Sequence, residues 1–434
     1  MRNNIVHIGA GELTYEIRAI VEVANRMQAL GLQTFMENIG DPIAKGEELP
    51  GWIKDIVCEL AREDSSYGYS PTRGLLPTRT FLAERTNARG GIQIGADDIL
   101  FFNGLGDAIQ KVYGLLRREC RVLGPSPTYS THSSAEAAHA GQHPVSYRLD
   151  PDNKWFPDLE HLRLSVKFNP AISGLLIINP DNPTGSVWPR ETLEEMVAIA
   201  REYDLFLIAD EIYMNLIYNG ETTSPIGDII GDVPAIAMKG ISKEVPWPGS
   251  RCGWIEFYNR EKDPVFDTYA RSLLNSKMVE VCSTTLPQAA IPKLYSHPEY
   301  EGWLEERRQR YARHSQKAQD RLSQVKGIKC NRTNGAFYKS VVFEDGVLHD
   351  KQTLPIENPE VKALVEGLVD KEGVSLDKRF VYTLLASTGI CVVPLSSFGT
   401  HLQGFRMTLL QKDEELFDQI IDNLAEAIEA YLAS

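Results

Sequence analysis

Two uninterrupted apolar runs, residues 174–179 (GLLIIN) and 205–209 (LFLIA), constrain this chain most strongly. Neither alternates polar with apolar, so neither offers a face to water. Runs of this kind belong in a sheet covered on both sides. Residues 191–203 between them carry a helical period, and a strand–helix–strand order implies parallel strands joined by a crossover. The same alternation extends outward. Residues 99–102 read as a strand with a helix from about Asp107, and residues 121–123 as a strand ending at Gly124-Pro125. Residues 235–238 and 252–257 continue the series. The expectation is an α/β fold with a mostly parallel sheet between helices. Such sheets bind ligands beyond the carboxyl ends of their strands, which gives weight to the polar residues that follow each run.

A second unit is expected downstream. A long charged helical stretch near 301–325 leads out of the sheet domain, and residues 336–342, 381–385 and 405–409 read as strands among helices. Residues 12–30 read as an amphipathic helix presenting Ile17, Ile20, Val21, Ala24 and Met27, stopped by Gly31 and packed on that smaller α+β unit. The expected division is a large domain over 45–315 and a small domain from 1–44 with 316–434. With 45 Lys and Arg against 59 Asp and Glu, the net charge of −14 argues against a nucleic-acid partner. Six cysteines without a CxxC pair suggest a reducing compartment and no zinc site. No run reaches the ~18 apolar residues of a membrane span, and the start lacks a secretory core, so a cytoplasmic protein is expected.

Three motifs sit where chemistry is expected. Asn179-Pro180-Asp181-Asn182-Pro183-Thr184-Gly185 and Asp210-Glu211-Ile212-Tyr213 each follow a buried run. The first makes a rigid turn; the aspartate of the second either caps that turn or holds a buried cation. Ser242-Lys243 precedes Arg251 by eight residues in a Gly/Pro-rich context, where the lysine is either solvated or a nucleophile. Other signals carry less. Gly9-Ala10-Gly11 lacks the third glycine of a dinucleotide loop, and His132, His139 and His143 read as a solvated helix face without metal-ligand spacing.

In order and spacing, these motifs resemble the class I/II aminotransferases, pyridoxal-phosphate enzymes of fold type I. Agreement extends to Ile39-Gly40-Asp41-Pro42, Tyr67-Gly68-Tyr69 with Gly74, Pro127-Thr128-Tyr129, Gly335-Ala336-Phe337-Tyr338 and Phe405-Arg406, and so covers most of the chain. The resemblance implies a seven-stranded, mostly parallel sheet and a pyridoxal 5'-phosphate cofactor. Lys243 would be the Schiff-base lysine and proton shuttle, and Asp210 the partner of the pyridine nitrogen. Tyr213 and Asn182 would bond the phenolic oxygen, and Tyr129 would stack on the ring. Ser242, Arg251 and the backbone of Gly104, Leu105 and Gly106 would hold the phosphate. Tyr69 would reach the phosphate of the neighbouring subunit of a homodimer. Arg406, with Gly40 and Asn182, would take the substrate carboxylate.

The implied reaction moves an amino group from an α-amino acid to a 2-oxo acid in two ping-pong half-reactions. Relatives of the same fold that act as carbon–sulfur lyases or cyclopropane-forming synthases keep the same lysine, aspartate and arginine. A cofactor-sensing regulatory module is disfavoured, because the fold's first helix begins near Glu12 and leaves no room for a DNA-binding unit. Two departures stand out. Gly240 replaces the hydroxyl residue many relatives carry three positions before the lysine, and Leu105 and Gly106 replace Ser or Thr in the phosphate loop.

Overall fold

The computed structural model describes residues 5–13 and 16–434, with the side chains of Glu16 and Ile17 outside the described set, so the expected burial of Ile17 lies outside it too. An eight-stranded sheet runs in the order Ile99–Phe102, Gly253–Tyr258, Ala235–Gly240, Phe206–Asp210, Ile172–Ile178, Arg121–Ser126, Ser146–Asp150, Phe156–Pro157. The four pairings among the five strands from Ala235–Gly240 to Ser146–Asp150 are parallel. Gly253–Tyr258 is antiparallel to both its neighbours. To the seven strands the resemblance implies, the chain adds one two-residue antiparallel edge, Phe156–Pro157.

The apolar runs 174–179 and 205–209 are central. Leu175, Ile177, Leu207 and Ala209 pack into one apolar cluster, while Leu176, Ile178 and Ile208 pack into another across the sheet. Alternate residues thus feed opposite faces, which is why neither face could be polar. A third cluster gathers Ile20, Val23, Ala24 and Met27 of the helix Glu16–Ala29 with residues of the chain's C-terminal part, among them Leu322, Val341, Phe380, Phe405, Phe417 and Leu424. Val21 is only half-buried and turns toward a cavity instead.

One expected element is corrected. Residues 381–385 form no strand; they lie inside the helix Leu376–Thr388. Phe380, Val381, Tyr382, Thr383, Leu384, Leu385 and Ala386 are all buried, so the helix is enclosed on every side and shows no polar stripe. An enclosed helix cannot be told from a buried strand by periodicity, and the β-branched Val381 and Thr383 favour the wrong choice. Its end is set by Gly389 at φ 76°. The small sheet is Ile328–Cys330, Tyr338–Phe343, Gly404–Thr408 and Val393–Pro394, all antiparallel. Among the described residues no helix is long and apolar enough to cross a membrane.

Candidate active site at the carboxyl ends of the strands

A cavity of about 630 Å³ opens where the central strands end. Its wall includes Gly40, Leu105, Gly106, Tyr129, Asn182, Asp210, Tyr213, Ser242, Lys243, Arg251 and Arg406, so most of the residues singled out in the sequence converge on one space. Gly104 adjoins it beside Arg251. Tyr69 stands apart on the surface, with 87% of its area exposed.

The strand Phe206–Asp210 delivers Asp210 to the floor of the cavity, where the side chain is 4% exposed. One carboxylate oxygen accepts the N–H of Ile212 at 3.1 Å, and the other lies 3.1 Å from His132 Nε2. His132 is fully buried on the helix Ser130–Ala140, with Nδ1 3.3 Å from the Tyr113 hydroxyl. This corrects the reading of His132 as part of a solvated face. Its partners come from a different helix and a strand end 78 residues away, and no local pattern announces such a contact. His139 is half-buried and meets the Cys120 carbonyl, while His143 is exposed.

Tyr213 is buried beside Asp210 and donates its hydroxyl to Tyr338 at 3.1 Å. Burial, with the neighbouring Tyr338 adding to it, holds the Tyr213 phenol well above its ordinary pKa, so it remains a neutral donor. Lys243 reaches across the cavity and donates to the Gly40 carbonyl at 2.8 Å. Gly40 has a steric reason to be glycine: a Cβ there would lie 2.0 Å from the Tyr338 hydroxyl. The family resemblance implies no role for Tyr338 of the Gly-Ala-Phe-Tyr segment. In the structure it also carries Arg406 over its ring at 4.4 Å. Arg406 donates to Asn182 Oδ1 at 3.2 Å and to the Asn38 carbonyl at 2.5 Å. Its guanidinium is therefore set as a fork at the cavity wall, suited to a carboxylate.

The opposite end is differently made. Gly104, at φ 83°, precedes the helix Leu105–Gly114, whose first N–H groups have no partner within the helix. The turn needs glycine for its φ, and a Cβ at Gly104 would lie 2.6 Å from the Arg251 guanidinium, which would have to move aside. Arg251 itself sits in the left-handed region at φ 49°, a conformation that costs on the order of 1 kcal/mol. Helix N-terminus, arginine and the nearby Ser242 fit an anionic group such as a phosphate. The buried ring-sized space beyond, with Asp210 below and Tyr129 at the wall, fits a cationic aromatic ring. At Gly106 a Cβ would meet nothing within 4 Å. At Gly240 it would meet the Cys252 carbonyl at 3.0 Å, so a hydroxyl residue has room at the first position and little at the second.

Asp181, on the turn after the neighbouring strand, is also a buried acid. Burial pushes its pKa up to about 7, against hydrogen bonds from the Thr184 N–H and hydroxyl. It shapes the turn that presents Asn182. Among the described residues no group of three or more His, Cys, Asp or Glu could hold a metal ion.

Comparison with known proteins agrees with this geometry. A profile described as "Aminotransferase class I and II" matches residues 39–424. An uncharacterised aminotransferase of Methanocaldococcus jannaschii is 56% identical over 432 residues, covering 100% of both chains. An alanine aminotransferase of Mycobacterium tuberculosis is 32% identical, covering 75% of each chain. Among solved structures, an alanine aminotransferase from Pyrococcus furiosus superposes with a TM-score of 0.83 at 28% identity, covering 96% of this chain and 98% of that one.

Proposed function

The chain belongs to the class I and II aminotransferases, and on that premise we propose that it moves an amino group between alanine or glutamate and a 2-oxo acid, using pyridoxal 5'-phosphate. The convergence of Asp210, Tyr213, Lys243 and Arg406 on one cavity carries the reading. When bound, the cofactor supplies an electron sink for charge developing at the substrate Cα. Lys243 takes and returns the proton at that carbon. Asp210, steadied by His132, would pair with the pyridine nitrogen, and Tyr213 would donate from a neutral hydroxyl. Arg406 holds the α-carboxylate, so the substrate Cα is brought to the lysine rather than left to diffuse.

The substrate proposal rests on the relatives' names and on the distal wall. The alanine aminotransferase of Mycobacterium tuberculosis and a glutamate-pyruvate aminotransferase of Escherichia coli, 29% identical over 84% of its length, point to small and acidic donors. Arg18, on the helix Glu16–Ala29, lines the cavity with Glu22 and Asn25 and has no acidic partner among the described residues. A cation there suits the second carboxylate of glutamate or 2-oxoglutarate.

The reading extends to a homodimer in which Tyr69 serves the partner's phosphate end. Tyr67 donates its hydroxyl to the Ala61 carbonyl of its own chain, whereas Tyr69 makes no such bond among the described residues. The 68–70 segment is tied to 283–285 by Thr285 and Ser70. Close in sequence to 283–285 are the exposed Met278, Val279 and Val281, apolar surface that a second copy would cover. We further read 45–315 as the cofactor domain, residues 1–44 with 316–434 as the small domain, and the six free cysteines as belonging to the reducing cytoplasm.

The test is a scan of amino donors against 2-oxo acids, following each half-reaction by absorbance. Alanine and glutamate should reduce the bound cofactor's absorbance, and pyruvate or 2-oxoglutarate should restore it. Steady turnover of a β-substituted amino acid with no 2-oxo acid present would instead assign a lyase.

A further inference from the structure

Arg307 lies seven residues into the helix Tyr300–Leu322, in a stretch reading EERRQRYAR that composition would leave in solvent. Its side chain is nonetheless only 3% exposed. All three guanidinium nitrogens are used. Nε meets a carboxylate oxygen of Glu47, and one terminal nitrogen donates to the Glu244 carbonyl. The other donates to the Lys243 carbonyl at 3.1 Å and to the Tyr311 hydroxyl at 3.0 Å. Trp303 and Tyr311 flank it, with ring centres 5.1 and 5.7 Å away. Glu47 is also buried and takes a second bond from Arg310 at 2.6 Å.

These contacts close a circuit around the lysine. At its tip, Lys243 Nζ bonds the Gly40 carbonyl. At its root, the Lys243 carbonyl is held by Arg307, and Arg307 is held by Glu47, seven residues after Gly40 on the same strap. The strap is itself stiffened by the turn Ile43–Lys45 and by the buried Lys45–Glu37 pair at 2.6 Å. Glu244, the next residue, is anchored by Asn215 at 2.6 Å and by the Tyr300 hydroxyl. A lysine side chain has four rotatable bonds, so where its amine can go depends on how firmly the main chain beneath it is fixed. Only a planar fork reaches two successive carbonyls and a carboxylate together; an ammonium cannot.

We propose that Arg307 is a positioning residue for amino transfer, locking the Lys243–Glu244 peptide to the strap that carries Gly40. The proposal rests on Lys243 being the reacting amine. Arg307 touches neither substrate nor cofactor in this account; it acts through the lysine's main chain.

The test uses full-length Arg307→Lys, with two readouts. In the cofactor-free protein, hydrogen exchange across residues 241–247 should quicken about tenfold or more, while peptides of the helix Leu376–Thr388 stay protected and the melting transition remains cooperative. In the cofactor-loaded protein, kcat should fall by about 10²-fold, with KM for the amino donor and cofactor affinity within about threefold of wild type. Wild-type exchange and kcat in Arg307→Lys would overturn the proposal, because charge alone would then suffice. Quickened exchange throughout the molecule, with KM and cofactor affinity lost together, would also overturn it by making Arg307 a general support. If Arg307→Lys does not fold, Glu47→Gln removes the charge that orients the guanidinium. It should quicken exchange across 241–247 and lower kcat by about tenfold, and an unchanged variant would overturn the proposal. Borohydride mapping of the wild type separates the two failures. Cofactor linked to another lysine sinks the reading of Lys243 and the proposal with it; cofactor on Lys243 leaves the exchange and kcat results to decide.

Discussion

At one end of the cavity Asp210, Tyr213 and Lys243 sit in a closed, hydrogen-bonded setting assembled within a single chain. At the other, Gly104, Leu105, Gly106 and Arg251 form an open cup in which Arg251 is exposed and the loop carries no hydroxyl. Asp210 has a histidine and a backbone N–H already in place, and Tyr213 has its tyrosine partner. The Arg251 guanidinium donates to the carbonyls of Pro248 and Asn103, at 3.3 and 3.5 Å. The ring end is thus preorganised, as catalysis of proton transfer requires. The phosphate end depends on backbone N–H groups and, on the present reading, on a tyrosine from a second chain. Reaction rate should therefore be sensitive to changes at the first end, and cofactor retention to changes at the second.

The largest effect should come from Asp210→Ala. Removing a buried charged partner should slow turnover by about 10²–10⁴-fold, measured at saturating cofactor so that retention does not enter. Near wild-type turnover would erase the distinction between the two ends. Next is Tyr69→Phe, which should weaken cofactor binding roughly ten- to a hundredfold with turnover at saturation unchanged, since a hydrogen bond to a charged group is worth about 1.5–3 kcal/mol. Equilibrium dialysis of the cofactor gives the first quantity and steady-state kinetics the second. Gly106→Ser should move retention the other way, tightening binding by up to about tenfold, because its Cβ meets open space and its hydroxyl supplies the donor the loop lacks. Looser binding there would mean that the cup is already full.

The smallest effect concerns stability. Asp181 has its folded pKa raised to about 7. The native state therefore holds the proton more tightly than the unfolded chain. The stability this adds is present in full below the unfolded value near 4 and is lost as pH rises to about 7. Asp181→Asn keeps an acceptor for Thr184 and carries no charge. Denaturant titrations should find it more stable than wild type at pH 8, by on the order of 1–4 kcal/mol, with the gap closing toward pH 4. An equal gap at both pH values would show that the acid's burial has no energetic consequence.

Legibility followed how local each signal was. The central strands, their polar ends and the cavity residues from Asn182 to Arg406 could be read because each lies in a short run whose pattern has one physical meaning. His132 could not, since its significance is a contact with a distant strand end. Within the helix Leu376–Thr388, residues 381–385 read as a strand because full burial erases the polar stripe that marks a helix. Arg307 leaves a trace in the spacing of its helix. Leu304, Arg307, Tyr311, Ser315, Ala318 and Leu322 recur at three- and four-residue steps, which puts the arginine on the buried face of its helix.

The division of labour between the two ends is tested most directly by a hybrid dimer. A Lys243→Ala chain and a Tyr69→Phe chain, carrying different tags, would be coexpressed and the mixed species isolated. One of its sites then has Lys243 from the second chain and Tyr69 from the first, while the other site has neither. The account predicts half the wild-type activity with wild-type cofactor affinity. Activity confined to cofactor concentrations as high as the Tyr69→Phe homodimer needs would contradict it, because Tyr69 would then be acting within its own chain.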